Sequence, residues 1–214
     1  MALYKVPEGL QYLTMQDFKG VTDKYDGLAR SARYTIQIKL GRNVMGGMGY
    51  QPLATDLSYL CESAEMPGRG FMHFEPRYYG PNFKLPFQST YEDITFTFLC
   101  RNKQVERQFF DDWMEMINPT NTFDFRYRDS YACEIDIFAY GEVKRPDINT
   151  APQAEYCLTL RNAWPVLVNP QPVTWADDNF QRLGITFTYE KHVRVNRDNS
   201  SGTYKLVKDR ESDI

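Results

Sequence analysis

The chain has 214 residues, a formal net charge of −3 and an aromatic content of 15%. A chain of this length buries enough surface to fold without disulfide or metal staples, and its mild acidity argues against the basic footprint that tight nucleic-acid binding requires. Its 15 Tyr and 14 Phe are more than one modest core holds, so we expect some of these rings to contact a partner.

The first 32 residues are predicted to form an extension ahead of the core. Gly9, Gly20 and Gly27 interrupt a mixed, polar stretch, and no long regular element is expected there. The first predicted strand covers residues 33–40, where apolar and polar side chains alternate strictly. Alternation with a period of two is typical of a sheet with one buried face.

A loop rich in glycine and methionine follows at residues 43–50, and a second strand is predicted at 57–65. Residues 71–87 are aromatic but contain three prolines, which restricts them to short or edge strands. The clearest strand signal lies at 91–100, where β-branched and aromatic residues alternate.

One helix is predicted, at residues 103–118. Its apolar residues recur at helical spacing and form a single stripe, which consists of Val105, Phe109, Trp113, Met116 and Ile117. Asn102 is the predicted N-cap. Pro119 disfavours helical geometry at Asn118 and ends the helix.

Three further strands complete the pattern, at residues 132–140, 155–163 and 183–195. Residues 196–214 are polar and charged, which is typical of a mobile tail. Many strands with short connections and one helix predict a mainly β, antiparallel sandwich or barrel with a flanking helix. The predicted domain organisation is an extension (1–32), one β domain (33–195) and a tail (196–214).

The four cysteines are too widely spaced for a metal knuckle or a redox pair; they are Cys61, Cys100, Cys133 and Cys157. Three of them lie in apolar, strand-like runs and are expected to behave as small buried hydrophobic residues. The sequence shows no signal peptide and no apolar run of membrane-spanning length. We therefore expect a protein that stays in the cytosol unless it leaves as part of a particle.

No pattern of catalytic or metal-binding residues is recognisable. His73 and His192 stand alone, outside any zinc-binding spacing. The glycines of residues 46–49 resemble a phosphate cradle but lack the lysine and the helix that should follow. This loop is interpreted either as a flexible hairpin tip or as a contact loop, since methionine side chains adapt to a partner surface.

The sequence contains pairs of carboxylates that are candidates for acid–base chemistry. Glu134 and Asp136 share one face of a predicted strand, as a glycosidase pair would, but their alternation with isoleucines is typical of a solvent-facing sheet side. The adjacent pairs Asp111–Asp112 and Asp177–Asp178 diverge in direction and are poor candidates. We predict no catalytic residue, no cofactor-binding residue and no metal ligand, and expect that the protein is not an enzyme.

The aromatic residues 71–91 have two interpretations. They form either a sugar-stacking platform of a carbohydrate-binding β module or a combined core and subunit contact. The second interpretation is favoured because the prolines interrupt a regular strand, so the rings are not expected to form the flat, evenly spaced surface on which sugars stack.

The order of three motifs resembles the tail-tube family of contractile-tailed phages. The resemblance covers residues 28–193. It rests on CESAEMPG (61–68), on YEDITFTF (91–98) followed by FFDDWMEMI (109–117), and on LRNAWP (160–165) with VTW (173–175) and GITFTYE (184–190).

The resemblance implies a β-sandwich or barrel with a helix on its flank, assembled into stacked hexameric rings around a channel. It implies that the chain's partners are copies of itself, with tail sheath and baseplate proteins, and that DNA passes through the lumen. Such a lumen should hold no phosphates, so Glu134 and Asp136 are candidates to face it. The implied location is the virion tail, after synthesis in the host cytoplasm.

The resemblance leaves related alternatives open. The extensions at residues 1–27 and 196–214 would clasp the next ring or the sheath, or mark a baseplate protein that initiates the tube. The inner-tube subunit of type VI secretion shares the architecture. The alternative of a different class is the carbohydrate-binding β module.

Overall fold

The computed structural model describes residues 15–24, 28–41, 50–76, 79–80, 82–141, 154–176, 179–197 and 204–206. Within these ranges the helices are α1 (Met15–Asp23), α2 (Gln51–Leu60), α3 (Val105–Ile117) and α4 (Arg128–Tyr131). The strands are β1 (Tyr34–Lys39), β2 (Cys61–Ala64), β3 (Arg69–Phe74), β4 (Leu85–Tyr91), β5 (Ile94–Leu99), β6 (Cys133–Tyr140), β7 (Ala154–Val168), β8 (Arg182–Thr188), β9 (Lys191–Arg197) and β10 (Tyr204–Leu206). The fold is mainly antiparallel β-sheet, as predicted.

Contacts divide the chain into two compact units, which are Met1–Tyr34 with Ala139–Glu155, and Thr35–Phe138 with Tyr156–Ile214. In the first unit, helix α1 has exposed apolar side chains along its length. The backbone N–H of Tyr140 donates to the Arg33 carbonyl at 3.0 Å, and the Arg33 guanidinium donates to the Gly141 carbonyl at 3.2 Å.

In the second unit, the strands follow the order β1-β6-β7-β8-β5-β2, with β9 pairing to β7 and β10 to β9. Besides its neighbour β6, strand β7 pairs with two strands along its length. Its residues 157–161 pair with β9, and its residues 164–168 pair with β8, both antiparallel. Between the two stretches Asn162 has a φ of 53°, in the left-handed region that asparagine tolerates better than most residues.

An aromatic core joins the sheet to helix α3. Alternate residues of β5 are buried, as are Phe109, Phe110 and Trp113 on one side of the helix. Trp113 contacts Phe187 of β8 with ring centroids 6.1 Å apart, in the edge-on geometry that aromatic pairs favour. The predicted helix is therefore confirmed, and its buried rings attach it to the sheet.

Strands β3 and β4 form a separate two-stranded hairpin. They pair antiparallel from Arg69 opposite Tyr91 to Phe74 opposite Leu85, with a register shift after Met72. Every residue of β3 is exposed. The expectation of short strands in this proline-containing segment is confirmed.

The strand predicted at 57–65 is wrong over its first half, because helix α2 continues to Leu60 and only residues 61–64 are extended. Leu53, Ala54 and Leu57 are buried together, and their spacing is that of one helix face. Pro52 stands at the start of this helix, where proline is tolerated. The single-helix prediction also missed α1, which includes Gly20.

Two further boundaries differ from prediction. The strand predicted at 183–195 is two strands, since the backbone leaves the ladder at residues 189–190 between β8 and β9. The N-cap of α3 is Gln104, not Asn102, and its φ of 51° is left-handed with no side-chain cap. The predicted end is confirmed, because Asn118 is extended ahead of Pro119. Strand β10 shows regular structure inside the segment predicted as a mobile tail.

Candidate functional site

Strands β1, β6 and β7 present a polar face on one side of the sheet. We define the polar face by six side chains, Gln37, Lys39, Glu134, Asp136, Thr159 and Arg161. The alternate residues of the same strands point the other way and are buried; they are Ile36, Ile38, Ile135, Ile137, Leu158 and Leu160. Alternation of polar and apolar residues therefore gives these strands two chemically distinct sides, with Phe138, Cys157 and, from β9, Val195 as apolar members of the otherwise polar side.

Asp136 is the centre of the polar face. The Lys39 ammonium lies 2.5 Å from its Oδ2, and the Thr159 hydroxyl donates to its Oδ1 at 2.7 Å. The side chain of Asp136 is only 6% exposed, whereas that of Lys39 is 48% exposed. The expectation that Asp136 faces solvent is wrong, because the lysine and the threonine cover it.

A second ion pair crosses the same face. The Arg161 guanidinium donates to Glu134 Oε1 at 2.7 Å, and both side chains are partly exposed. Sequence reasoning placed Glu134 and Asp136 on one face, and the structure does the same. Each carboxylate is paired with a cation from another strand, which is the arrangement of a charge-balanced surface rather than of an acid–base pair.

A shallow groove of about 390 Å³ runs along the polar face. Cys157 lies at its floor and is buried. Burial, reinforced by the negative charge of Asp136, raises the pKa of the Cys157 thiol to about 11. The thiol is therefore protonated at neutral pH and unsuited to nucleophilic chemistry.

The hairpin of β3 and β4 is the second candidate surface. Its large side chains are strongly exposed, with Phe71 at 61% and Phe87 at 73%. Phe74 and Phe87 meet edge-on, at an interplanar angle of 84°. A sugar platform needs flat, parallel faces, so this geometry favours contact with a protein surface.

The two histidines lie in different places. His73 is on the exposed hairpin, 3.9 Å from Glu75. His192 packs edge-on against Tyr91 and contacts Tyr189. Burial, together with the nearby Arg69 charge, lowers the pKa of His192. In the residues that the structure describes, no three His, Cys, Asp or Glu side chains gather as a metal site would require.

The remaining carboxylate candidates have structural partners where they are described. Asp111 accepts from Arg107 one helical turn away, and Asp112 accepts from the Tyr50 hydroxyl. This contact raises the pKa of Tyr50. Asp177, Asp178 and the glycine-rich loop at 46–49 lie outside the described residues.

Glu106 is a structural carboxylate that the sequence reasoning did not single out. It is fully buried at the start of α3, where it accepts from the Arg101 side chain at 2.5 Å and from the Arg101 backbone N–H at 3.0 Å. Arg101 in turn binds Asp56 of α2 at 3.0 Å. The helical spacing of Glu106 with Phe110 and Trp113 was the signal that could have placed it on the buried side.

The fold is a β-sheet with one apolar and one charge-balanced side, a flanking helix and an exposed aromatic hairpin. A sequence profile described as phage tail tube protein matches residues 29–195, and the chain belongs to that family. No curated protein matches the sequence. The predicted fold and family are thereby confirmed, and the chain is a structural subunit of a phage tail tube.

Solved structures share the fold at low sequence identity. A chain of the sheath–tube complex of an extracellular contractile injection system, PVC, has 15% identity and a TM-score of 0.55, covering 82% of this chain and 95% of that one. A chain of the PVC sheath/tube terminator has 14% identity and a TM-score of 0.53, covering 79% and 98%. A chain of the anti-feeding prophage baseplate has 13% identity and a TM-score of 0.52, covering 78% and 95%.

Proposed function

We propose that copies of this chain assemble into stacked hexameric rings, that the polar face lines their channel, and that DNA is conducted through it. The single observation that supports this most is the two-sided sheet. Its apolar side is filled by the chain's own core, while its polar side offers a hydrophilic wall with balanced charges. A wall of this kind lets a polyanion pass without retaining it.

The ends of the strand order support association between copies. Among the described strands, β1 pairs only with β6, and β2 pairs only with β5. Each end therefore offers backbone groups to a further strand, which is a hazard in a lone subunit and a means of joining subunits in a ring. Cyclic symmetry repeats the same contact until the ring closes.

The aromatic hairpin supports a second contact between copies. Its exposed rings project from a two-stranded sheet that is separate from the main sheet. Aromatic side chains are enriched at the centres of protein interfaces. We assign this surface to a neighbouring copy of the chain, so that assembly covers the rings.

Tail sheath and baseplate proteins are the further partners we propose. The similar solved chains come from a sheath–tube complex, a tube terminator and a baseplate, so this fold occurs along a tube and at its end. A tube-initiating role at the baseplate and a type VI secretion inner-tube role are the alternatives within the same architecture. We further propose that the chain is made in the host cytoplasm and catalyses no reaction.

No helix in the described ranges has the length and apolar character to cross a bilayer.

Negative-stain microscopy of the purified full chain, combined with light-scattering mass, tests this function. The expected result is six-fold rings at low concentration and hollow tubes at high concentration. Long tubes from the chain alone would favour the body of the tube, whereas rings that never stack would favour an initiator. A monomer at every concentration would contradict the proposal.

A further inference from the structure

The two basic side chains of the polar face are each held by a carboxylate. Lys39 is held by Asp136 and Arg161 by Glu134, at 2.5 Å and 2.7 Å. Two positive and two negative charges therefore cancel on this face. Without the carboxylates, the same strands would present a basic stripe, the kind of surface that binds phosphates.

We infer that Asp136 decides whether DNA slides through the channel or is retained in it, because it keeps Lys39 from binding phosphate. This inference rests on the proposed function, since it requires that the polar face lines a channel. It adds a named residue and a charge mechanism to that function.

The burial and the contacts of Asp136 distinguish it from Glu134. Asp136 is 6% exposed and has two partners, the Lys39 ammonium and the Thr159 hydroxyl. Glu134 is 40% exposed and is held by Arg161. Both carboxylate oxygens of Asp136 therefore have a partner. Lys39 covers this carboxylate, which is almost inaccessible to solvent.

Burial also makes the negative charge of Asp136 effective at short range. A charge in a poorly solvated position is screened less than one at the surface. The raised pKa of the neighbouring Cys157 thiol, to which Asp136 contributes after burial, has the same origin. A phosphate that approached Lys39 would have to compete with this carboxylate and would be repelled by it.

The Asp136→Asn variant removes the charge and keeps the shape. The asparagine carbonyl still accepts from Thr159, so the sheet retains that contact. Each copy then gains one unit of positive charge on the polar face, and the symmetry of a ring repeats it in every subunit. Each added phosphate contact steepens the plot of log affinity against log salt by about 0.9.

The experiment uses preassembled tubes of the full chain and two fluorescent DNA probes. One probe is a short linear duplex, which enters a tube through its open ends. The other is a closed circular duplex of the same sequence, which cannot thread a preformed tube. Binding of both is measured over a series of salt concentrations for the wild type, Asp136→Asn and a matched control.

The matched control is Asp111→Asn. Asp111 pairs with Arg107 on the exposed side of α3, at 3.1 Å, so this variant makes the same chemical change and the same change in net charge away from the polar face. A double variant, Lys39→Gln with Asp136→Asn, removes the lysine as well. It separates an effect of the released cation from an effect of a disturbed sheet.

The expected result is that Asp136→Asn tubes bind the linear duplex at least tenfold more tightly than wild-type tubes at low salt, with a steeper salt dependence. The circular probe, the Asp111→Asn control and the double variant should all remain at wild-type levels. Equal binding of linear and circular DNA by Asp136→Asn, or retention by the double variant, would overturn the inference. Wild-type protein that forms no tubes would instead contradict the proposed function, so the two failures are distinguishable.

Discussion

The indole N–H of Trp113 donates a 3.0 Å hydrogen bond to the backbone carbonyl of Tyr131, across the gap between helix α3 and helix α4. The same ring stacks on Phe110 at an interplanar angle of 8°. One side chain therefore contributes both to the aromatic core and to the attachment of the segment that leads into β6. Trp113 also contacts Phe187 of β8, so it joins the helix to the sheet.

Replacing Trp113 with alanine should lower the free energy of unfolding by about 3–5 kcal/mol and prevent soluble assembly, because it opens a cavity in a fully buried aromatic cluster. Urea unfolding monitored by circular dichroism measures the loss. Trp113→Phe keeps most of the ring and loses the hydrogen bond, so its loss should be clearly smaller. A melting curve for Trp113→Ala close to that of the wild type would show that the helix is not anchored here.

The two ion pairs of Arg101, with Glu106 and with Asp56, should contribute differently to the free energy of unfolding. Arg101→Ala leaves Glu106 buried without its cationic partner and with only the backbone N–H of residue 101 as donor, whereas Asp56→Ala removes a carboxylate that is half exposed. An uncompensated buried charge is costly, and an exposed pair contributes little. We expect Arg101→Ala to lower the urea midpoint markedly more than Asp56→Ala. Equal effects would mean that burial of Glu106 does not control the stability of this cluster.

Acid should destabilise the fold through His192. Burial and Arg69 hold the pKa of its folded state below the value of about 6.5 expected in the unfolded chain. As pH falls through 6.5, the unfolded state therefore takes up a proton that the folded state refuses, and stability is lost until the folded pKa is reached. His192→Phe removes this loss. The measurement is the change in the free energy of unfolding between about pH 7.5 and about pH 5 for the wild type and for His192→Phe. Equal changes in the two proteins would contradict a role of His192 in the loss of stability.

The hairpin rings should matter for assembly but not for folding. Phe71 and Phe87 are exposed in the subunit, so the double change Phe71→Ser with Phe87→Ser should leave the melting temperature nearly unchanged. It should also abolish tube formation in light scattering, because the contact that we propose with a neighbouring copy would lose its apolar area. The double change to tyrosine keeps the rings and should preserve assembly. If the serine variant formed tubes of normal length, the hairpin would not be part of the interface between copies.

The sequence was informative where one residue type dominated a local pattern. The alternation in β5 and the apolar stripe of α3 predicted both elements, because each buries one side against the other. Helix α2 was misread since its apolar residues run into the strand that follows it without a glycine or proline between them. Boundaries of this kind depend on tertiary packing, which overrides local propensity.

The polar face was only half predictable. Alternation placed Glu134 and Asp136 on one side of a strand, but it did not identify which cations would face them. Lys39 and Arg161 belong to strands that lie beside β6 only after folding, so no spacing in the sequence links the pairs. Asp136 is buried because these neighbours cover it. The alternation in the sequence had predicted an exposed side chain, and that prediction is wrong.

Strand β7 changes partner at Asn162 without a break in its backbone, from β9 on one side of the bend to β8 on the other. The stretch of β7 that carries Thr159 and Arg161 of the polar face is therefore joined by the main chain itself to the stretch that pairs with β8, whose Phe187 packs on α3. Asn162 is the residue through which that covalent connection runs, and its left-handed backbone makes it the position of β7 where a β-branched substitution would be most strained.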